Sequence, residues 1–112
     1  MISYTTNQYG LRQKDMDYMM QLFARTPSLE KVILYGSRAT GDYERGSDID
    51  LAIVGENVTY SDIAHIHHML EEESPTLLGF DVLHYNKLKN EKLKQQIDIY
   101  GKVIFSTSGQ NH

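Results

Sequence analysis

LYGSRATGDYERGSDIDL, residues 34–51, is the stretch that decides the fold of this chain. The apolar runs that flank its loop, Val32–Tyr35 and Ile49–Val54, predict two buried strands. Because strand side chains alternate between faces, Asp48 and Asp50 are expected on one face, about 7 Å apart. Acids at alternate positions of an apolar strand are costly unless a cation offsets their desolvation and mutual repulsion. A bound divalent metal ion would do so.

The rest of the chain alternates predicted helices and strands. The expected elements are a helix over about 10–25, a strand at Lys31–Tyr35, a strand at Ile49–Val54, a helix from Thr59 or Ser61 to just before Pro75, a strand at Leu77–Tyr85, a helix at Leu88–Ile99 and a strand at Lys102–Phe105. This order predicts an α/β (α+β) fold, a mixed β-sheet with helices packed mainly on one face. At 112 residues we expect a single domain, 1–112, with a loose arm at 1–10 and a polar tail at 106–112.

The composition limits which partners the protein can bind and indicates its cellular compartment. The net charge is −4, so the chain lacks the basic footprint of a protein that grips a long nucleic acid. It has no cysteine, which excludes disulfides, thiolate metal sites and cysteine nucleophiles. Neither a signal peptide nor an apolar run long enough to span a bilayer is present. We therefore expect a cytoplasmic protein that binds no long nucleic acid and no membrane.

The acids and the turn before them carry a family resemblance. Gly36-Ser37, the ten-residue gap and Asp48-Ile49-Asp50, followed by Asp81 on a later predicted strand, resemble the signature of the DNA polymerase beta-type nucleotidyltransferase superfamily. Its smallest branch, the minimal nucleotidyltransferase (MNT) domain, is the closer match. The resemblance covers most of residues 30–105 and implies the nucleotidyltransferase fold.

The resemblance also implies roles for these residues. In the family, the two acids of the DxD motif bridge two Mg²⁺ ions, which here are Asp48 and Asp50. Asp81 would complete the site and help to accept the proton of the acceptor. Gly36 and Ser37 would hold the triphosphate, since Gly36 lets phosphate approach the main chain and the turn presents free N–H groups. Hard carboxylate oxygens suit Mg²⁺, which keeps waters and substrate phosphates in its shell.

Other polar residues give weaker signals. Arg38 and Arg45 could neutralise phosphate charge with their planar guanidinium groups, although arginines in surface loops are usually solvated. His65 and His68 lie three residues apart, but on the helix face opposite the apolar stripe and with no third ligand near in sequence, so solvent exposure is expected rather than zinc. The acidic run at 71–73 is read as a solvated helix end.

The activity implied by the resemblance is Mg²⁺-dependent transfer of AMP from ATP onto a hydroxyl group. Minimal members of the family act as antitoxins that modify a tyrosine of an all-helical HEPN toxin encoded nearby, and 112 residues leave no room for an acceptor domain. Exposed tyrosines would then contact the partner; the candidates are Tyr4, Tyr9, Tyr18, Tyr43 and Tyr60. Two alternatives stay open. One is a non-catalytic antitoxin that occludes its partner, and the other is nucleotidylation of a small molecule.

Overall fold

The structure is a computed structural model that describes residues 6–107. Its helices and strands alternate in the order that the apolar pattern predicts. In chain order they are α1 (Gln13–Ala24), β1 (Lys31–Tyr35), α2 (Ser37–Thr40), β2 (Ile49–Val54), α3 (Tyr60–Glu73), β3 (Phe80–His84), a 3₁₀ turn (Tyr85–Lys87), α4 (Glu91–Tyr100) and β4 (Lys102–Ser106).

The four strands form one mixed sheet in the order β3-β2-β1-β4. β1 pairs antiparallel with both β2 and β4, whereas β2 and β3 run parallel, joined by α3 as the crossover. The register places Tyr35 of β1 opposite Asp50 of β2, and Asp50 opposite Asp81 of β3. These three residues therefore form a row across three strands, at one end of the sheet.

The two faces of the sheet are covered by different helices. Buried side chains of β1 and β2, such as Leu34 and Leu51, pack with α1 and α3 in the main core. On the other face Tyr35 and Ala52 pack with Ile97 of α4 in a smaller cluster. The expectation of helices mainly on one face holds for the two longest helices, whereas α4 covers the face that carries the acids.

The starts of β3 and of the last helix each lie three residues later than the sequence predicts, while other boundaries shift as well. β3 begins at Phe80 rather than at Leu77, whose side chain is fully exposed. The last helix begins at Glu91 rather than at Leu88, because the side chain of Asn90 accepts a hydrogen bond from the N–H of Leu93 at 3.1 Å and so caps the first turn. The start of α3 is as predicted, with Thr59 and Asp62 exchanging side-chain to backbone hydrogen bonds in a capping box.

The ends of the described chain are held by hydrogen bonds. Residues 6–10, expected to belong to a loose arm, include a turn in which the side chain of Asn7 accepts from the N–H groups of Tyr9 and Leu11. Thr107 donates from its N–H and its hydroxyl to the carbonyl of Glu30. The remaining parts of the expected arm and tail, 1–5 and 108–112, lie outside the described residues. None of the helices within 6–107 is long and apolar enough to cross a membrane.

Candidate active site

The three predicted acids lie along neighbouring strands at one end of the sheet. Asp50 is the second residue of β2 and faces Asp81 in register, while Asp48 directly precedes β2. Asp48 lies beside Gly79, since a Cβ atom placed on Gly79 would be 2.8 Å from Asp48 Oδ1. Asp48 and Asp81 are exposed and Asp50 is half-buried. The fold therefore brings together at one sheet end the residues that are far apart in sequence.

Electrostatics single out Asp50 among the three. Burial and the negative charges of Asp81 and Asp48 together raise the pKa of its carboxyl to about 6, against the opposing positive charge of Arg38. A carboxylate in this position is costly to keep ionised without a cation. The carboxylates of the three acids thus repel one another, and a bound cation would reduce this repulsion.

Gly36, the residue between β1 and α2, makes room for Asp50. Its backbone has φ 77° and ψ −158°, a conformation that is strained for any residue with a side chain. A Cβ atom there would overlap Oδ2 of Asp50. Glycine is thus required at this position both by the backbone and by the carboxylate beside it.

The Gly36-Ser37 turn forms one wall of a hollow of about 320 Å³. The short helix α2 starts at Ser37, so its first N–H groups have no intrahelical acceptor. The other wall comes from α4. The lining residues are Gly36, Ser37, Thr40, Asp42, Gln96 and Tyr100. The sequence prediction identified Gly36 and Ser37 but missed Gln96 and Tyr100, which no motif singles out.

Arg38 differs from the solvated loop arginine that the sequence suggested. It lies in α2 with only 2% of its surface exposed. Its guanidinium donates hydrogen bonds to the carbonyls of Ser47 at 3.0 Å, Tyr9 at 2.9 Å, Gly10 at 3.4 Å and Arg45 at 3.3 Å. Arg38 therefore holds the loop between α2 and β2 against the chain before α1, and it acts on Asp50 through its charge.

Arg45 is exposed and lines a different hollow from the Gly36-Ser37 turn. It shares that hollow with Arg12, Asp15 and Pro75. The structure thus does not bring Arg45 to the hollow that Gly36 and Ser37 line, and its predicted contact with nucleotide stays a prediction.

Tyr35 is a neighbour of the acids that the sequence analysis did not single out. Its side chain is almost buried on the face that carries Asp50, and its hydroxyl donates a long hydrogen bond of 3.4 Å to Asp81 Oδ2. Burial and the negative charge of Asp81 raise the pKa of the Tyr35 hydroxyl, so it stays protonated and able to donate. The alternation of strand residues could have identified it, because Tyr35 pairs with Asp50 once β1 and β2 are antiparallel.

The acids suit Mg²⁺ as donors without forming a closed cage. Within 6–107, no three His, Cys, Asp or Glu side chains converge closely enough to hold an ion. Mg²⁺, however, is commonly bound by one or two carboxylates together with waters and substrate phosphates. Asp50 and Asp81, adjacent on parallel strands with Asp48 nearby, fit such an open arrangement. The binding of two Mg²⁺ ions stays a prediction.

His67 and Glu71 of α3 contact the start of β3. His65 and His68 are exposed, as predicted. His67 Nε2 lies 3.0 Å from the carbonyl oxygen of Phe80. Glu71, read from the sequence as a solvated end, accepts a hydrogen bond from the N–H of Phe80 at 2.9 Å. These contacts fix the start of β3, one residue before Asp81.

The tyrosines proposed as partner contacts have different environments. Tyr60 is 88% exposed. Tyr9 and Tyr18 pack against the main core, and Tyr43 lies under the guanidinium of Arg38, 4.8 Å from the ring centroid. Tyr4 lies outside the described residues. Of the four described, only Tyr60 presents most of its surface to solvent.

Comparison with known proteins shows a family and a shared fold. Residues 18–110 match the family described as polymerase beta, nucleotidyltransferase. Among solved structures, the chain is similar to a toxin–antitoxin complex with AMP-PNP, at 22% identity and a TM-score of 0.69, covering 84% of this chain and 75% of the other. It is also similar to the toxin–antitoxin MntA–HepT, at 19% identity and a TM-score of 0.63, covering 86% and 74%.

A third similar structure is a tri-AMPylated Shewanella oneidensis HEPN toxin in complex with MNT antitoxin, at 20% identity and a TM-score of 0.64, covering 85% of this chain and 72% of the other. At these identities the likeness shows a shared fold. No curated protein sequence matches this chain.

Proposed function

Given that the chain belongs to the polymerase beta nucleotidyltransferase family, we propose that it transfers AMP from ATP to a hydroxyl group, most simply a tyrosine of a HEPN-type partner, and thereby acts as an antitoxin. The observation that carries the proposal is the placement of Asp50 between Asp81 and Gly36. It sets the acids directly beside the turn that would hold the triphosphate. The solved complexes of similar fold, one with AMP-PNP and one with an AMPylated toxin, support the choice of nucleotide and acceptor.

The reaction asks little covalent chemistry of the protein. The acceptor oxygen attacks the α-phosphorus, a new P–O bond forms, the bond to the β-phosphate breaks, and pyrophosphate leaves. Mg²⁺ held by Asp48, Asp50 and Asp81 would neutralise phosphate charge and orient the reacting oxygens. Asp81 would accept the proton of the acceptor hydroxyl, while Tyr35 donates to its Oδ2 and so fixes the orientation of the carboxylate.

The surroundings of the site fit an acceptor that comes from another protein. Asp48 and Asp81 are exposed rather than enclosed, so an acceptor side chain can reach them without a rearrangement of the core. A hydroxyl held in line with the α-phosphorus gains most of its reactivity from positioning, which a docked partner supplies.

Labelled ATP tests the proposal. With the protein encoded beside this chain as acceptor, label from α-³²P-ATP should enter the acceptor, whereas label from γ-³²P-ATP should leave as pyrophosphate. Asp48→Asn and Asp50→Asn should each abolish transfer while the circular dichroism spectrum is retained. Transfer of γ-label would indicate a kinase instead, and full activity of either variant would contradict the roles of these acids.

A further inference from the structure

The hollow beside the Gly36-Ser37 turn has two chemically different walls. On one side the main chain of the turn is uncovered, because Gly36 has no side chain, and it lies next to Asp50. On the other side α4 presents Gln96 and Tyr100, one helical turn apart and therefore on the same face of the helix. Ile97, between them in sequence, points into the sheet and is buried. The α4 wall is thus an aromatic ring and an amide in a fixed relation to each other.

The position of Tyr100 is set by the fold on both sides. The N–H of Gly101 donates to the carbonyl of Ile97 at 2.9 Å, which closes the last turn of α4. Lys102, two residues after Tyr100, is already paired with Leu34 in the sheet. Tyr100 is nevertheless 56% exposed, so its ring is available on a rigid support. Single exposed aromatic residues are ordinary. The position of Tyr100 on the wall of the hollow, rather than its exposure, is what suggests a role in binding.

The charged side chains make the two ends of the hollow different. Asp42, one of the lining residues, accepts a hydrogen bond from the hydroxyl of Thr40 and adds a negative charge to the hollow. A carboxylate disfavours an unneutralised phosphate, and Asp50 has Asp81 and Asp48 as charged neighbours, a group of donors that suits Mg²⁺. The triphosphate therefore belongs at the Gly36 end, and the rest of the hollow suits an uncharged group that carries hydroxyls and an aromatic ring.

We propose that α4 forms the nucleoside half of the nucleotide site, with the Tyr100 ring stacked on the base and the Gln96 amide hydrogen-bonded to the nucleoside. This inference rests on the proposed nucleotidyl transfer and names how the substrate is held. Stacking is tolerant of the base, because every base has a π-face. An amide both donates and accepts, so Gln96 can satisfy either kind of polar atom on the nucleoside.

A competing use of Tyr100 would be contact with a protein partner. Ile99 and Val103, at 68% and 55% exposed, lie near it in sequence but do not line the hollow. A partner surface would involve all three residues, whereas a nucleoside wall involves Tyr100 without Ile99. The two readings therefore differ in which substitution affects nucleotide binding.

Calorimetric titration of the free chain with ATP and with inorganic tripolyphosphate, both with Mg²⁺, separates the two halves of the site. Tyr100→Ala should raise the Kd for ATP by about fivefold or more and leave the Kd for tripolyphosphate unchanged. Tyr100→Phe should bind ATP like wild type. Gln96→Ala should weaken ATP binding alone, and Ile99→Ala, the matched control on the same helix, should alter neither affinity.

The possible failures point to different claims. Unchanged ATP affinity in Tyr100→Ala and Gln96→Ala, or equal losses for ATP and tripolyphosphate, would overturn the nucleoside wall while leaving nucleotidyl transfer intact. Failure of wild type to bind either ligand would contradict the proposed function, and this inference with it. Melting temperatures close to wild type would show that the variants are folded.

Discussion

Replacing Gly36 by alanine perturbs the site through a single added methyl group. The backbone at Gly36 has φ 77° and ψ −158°, and a side chain in such a region costs about 1–3 kcal/mol. For a domain of this size, that corresponds to a fall in melting temperature of about 4 °C per kcal/mol. In addition the methyl group would overlap Asp50 Oδ2, so the carboxylate must rotate away from the turn. A displacement of about 1 Å in a reacting constellation can lower the rate by about 100-fold.

Gly41→Ala provides the matched control for this change. Gly41 also has a positive φ, 94°, but an added Cβ would meet no atom within 4 Å. Gly41→Ala should therefore lose stability from backbone strain alone and keep its activity. The assay is the initial rate of AMP transfer to the partner at a temperature well below both melting points. An activity of Gly36→Ala equal to that of Gly41→Ala would refute the claim that the missing side chain at Gly36 leaves the space that the Asp50 carboxylate needs.

Two further predictions concern stability. Because folding raises the pKa of Asp50 to about 6, the folded chain retains this proton more tightly than the unfolded chain, and the stability this contributes is lost as the pH rises from about 4 to about 6. In the presence of a chelator, Asp50→Asn should therefore melt higher than wild type at pH 7.5, by a margin that shrinks towards pH 4; a margin independent of pH would contradict the repulsion. Arg38→Met should lower the free energy of unfolding by about 3 kcal/mol or more, because four backbone carbonyls lose a charged donor. Arg45→Met should change it by less than about 0.5 kcal/mol, and equal losses in urea unfolding would contradict the buried role of Arg38.

The sequence predicts well those features that local patterns determine. The apolar run of β2 and the spacing of Asp48 and Asp50 give the strand and its faces, and the capping residues Thr59 and Asp62 give the start of α3. The meeting of Asp50 and Asp81 also follows, once the helix between their strands is recognised as a parallel crossover.

Features that depend on distant contacts could not be predicted. The burial of Arg38 arises from carbonyls of residues 9–10 and 45–47, which no local pattern connects to it. The start of β3 at Phe80 is set by pairing with Ile49 and by the contact with Glu71. The apolar residues before Phe80 extend the strand pattern in the sequence, so they do not indicate this start. The approach of Tyr100 to the Gly36 turn likewise needs the packing of α4 across the sheet.

The most direct test of the account is the intact mass of the partner protein. The partner encoded beside this chain is copurified with it, incubated with ATP and Mg²⁺, and weighed by mass spectrometry, in parallel with the Asp50→Asn complex. We expect the mass of the partner to increase by one or more AMP units in the wild-type complex and to stay unchanged with Asp50→Asn. A partner that binds stably but keeps its mass with the wild-type chain would contradict the transferase account and indicate neutralisation by occlusion.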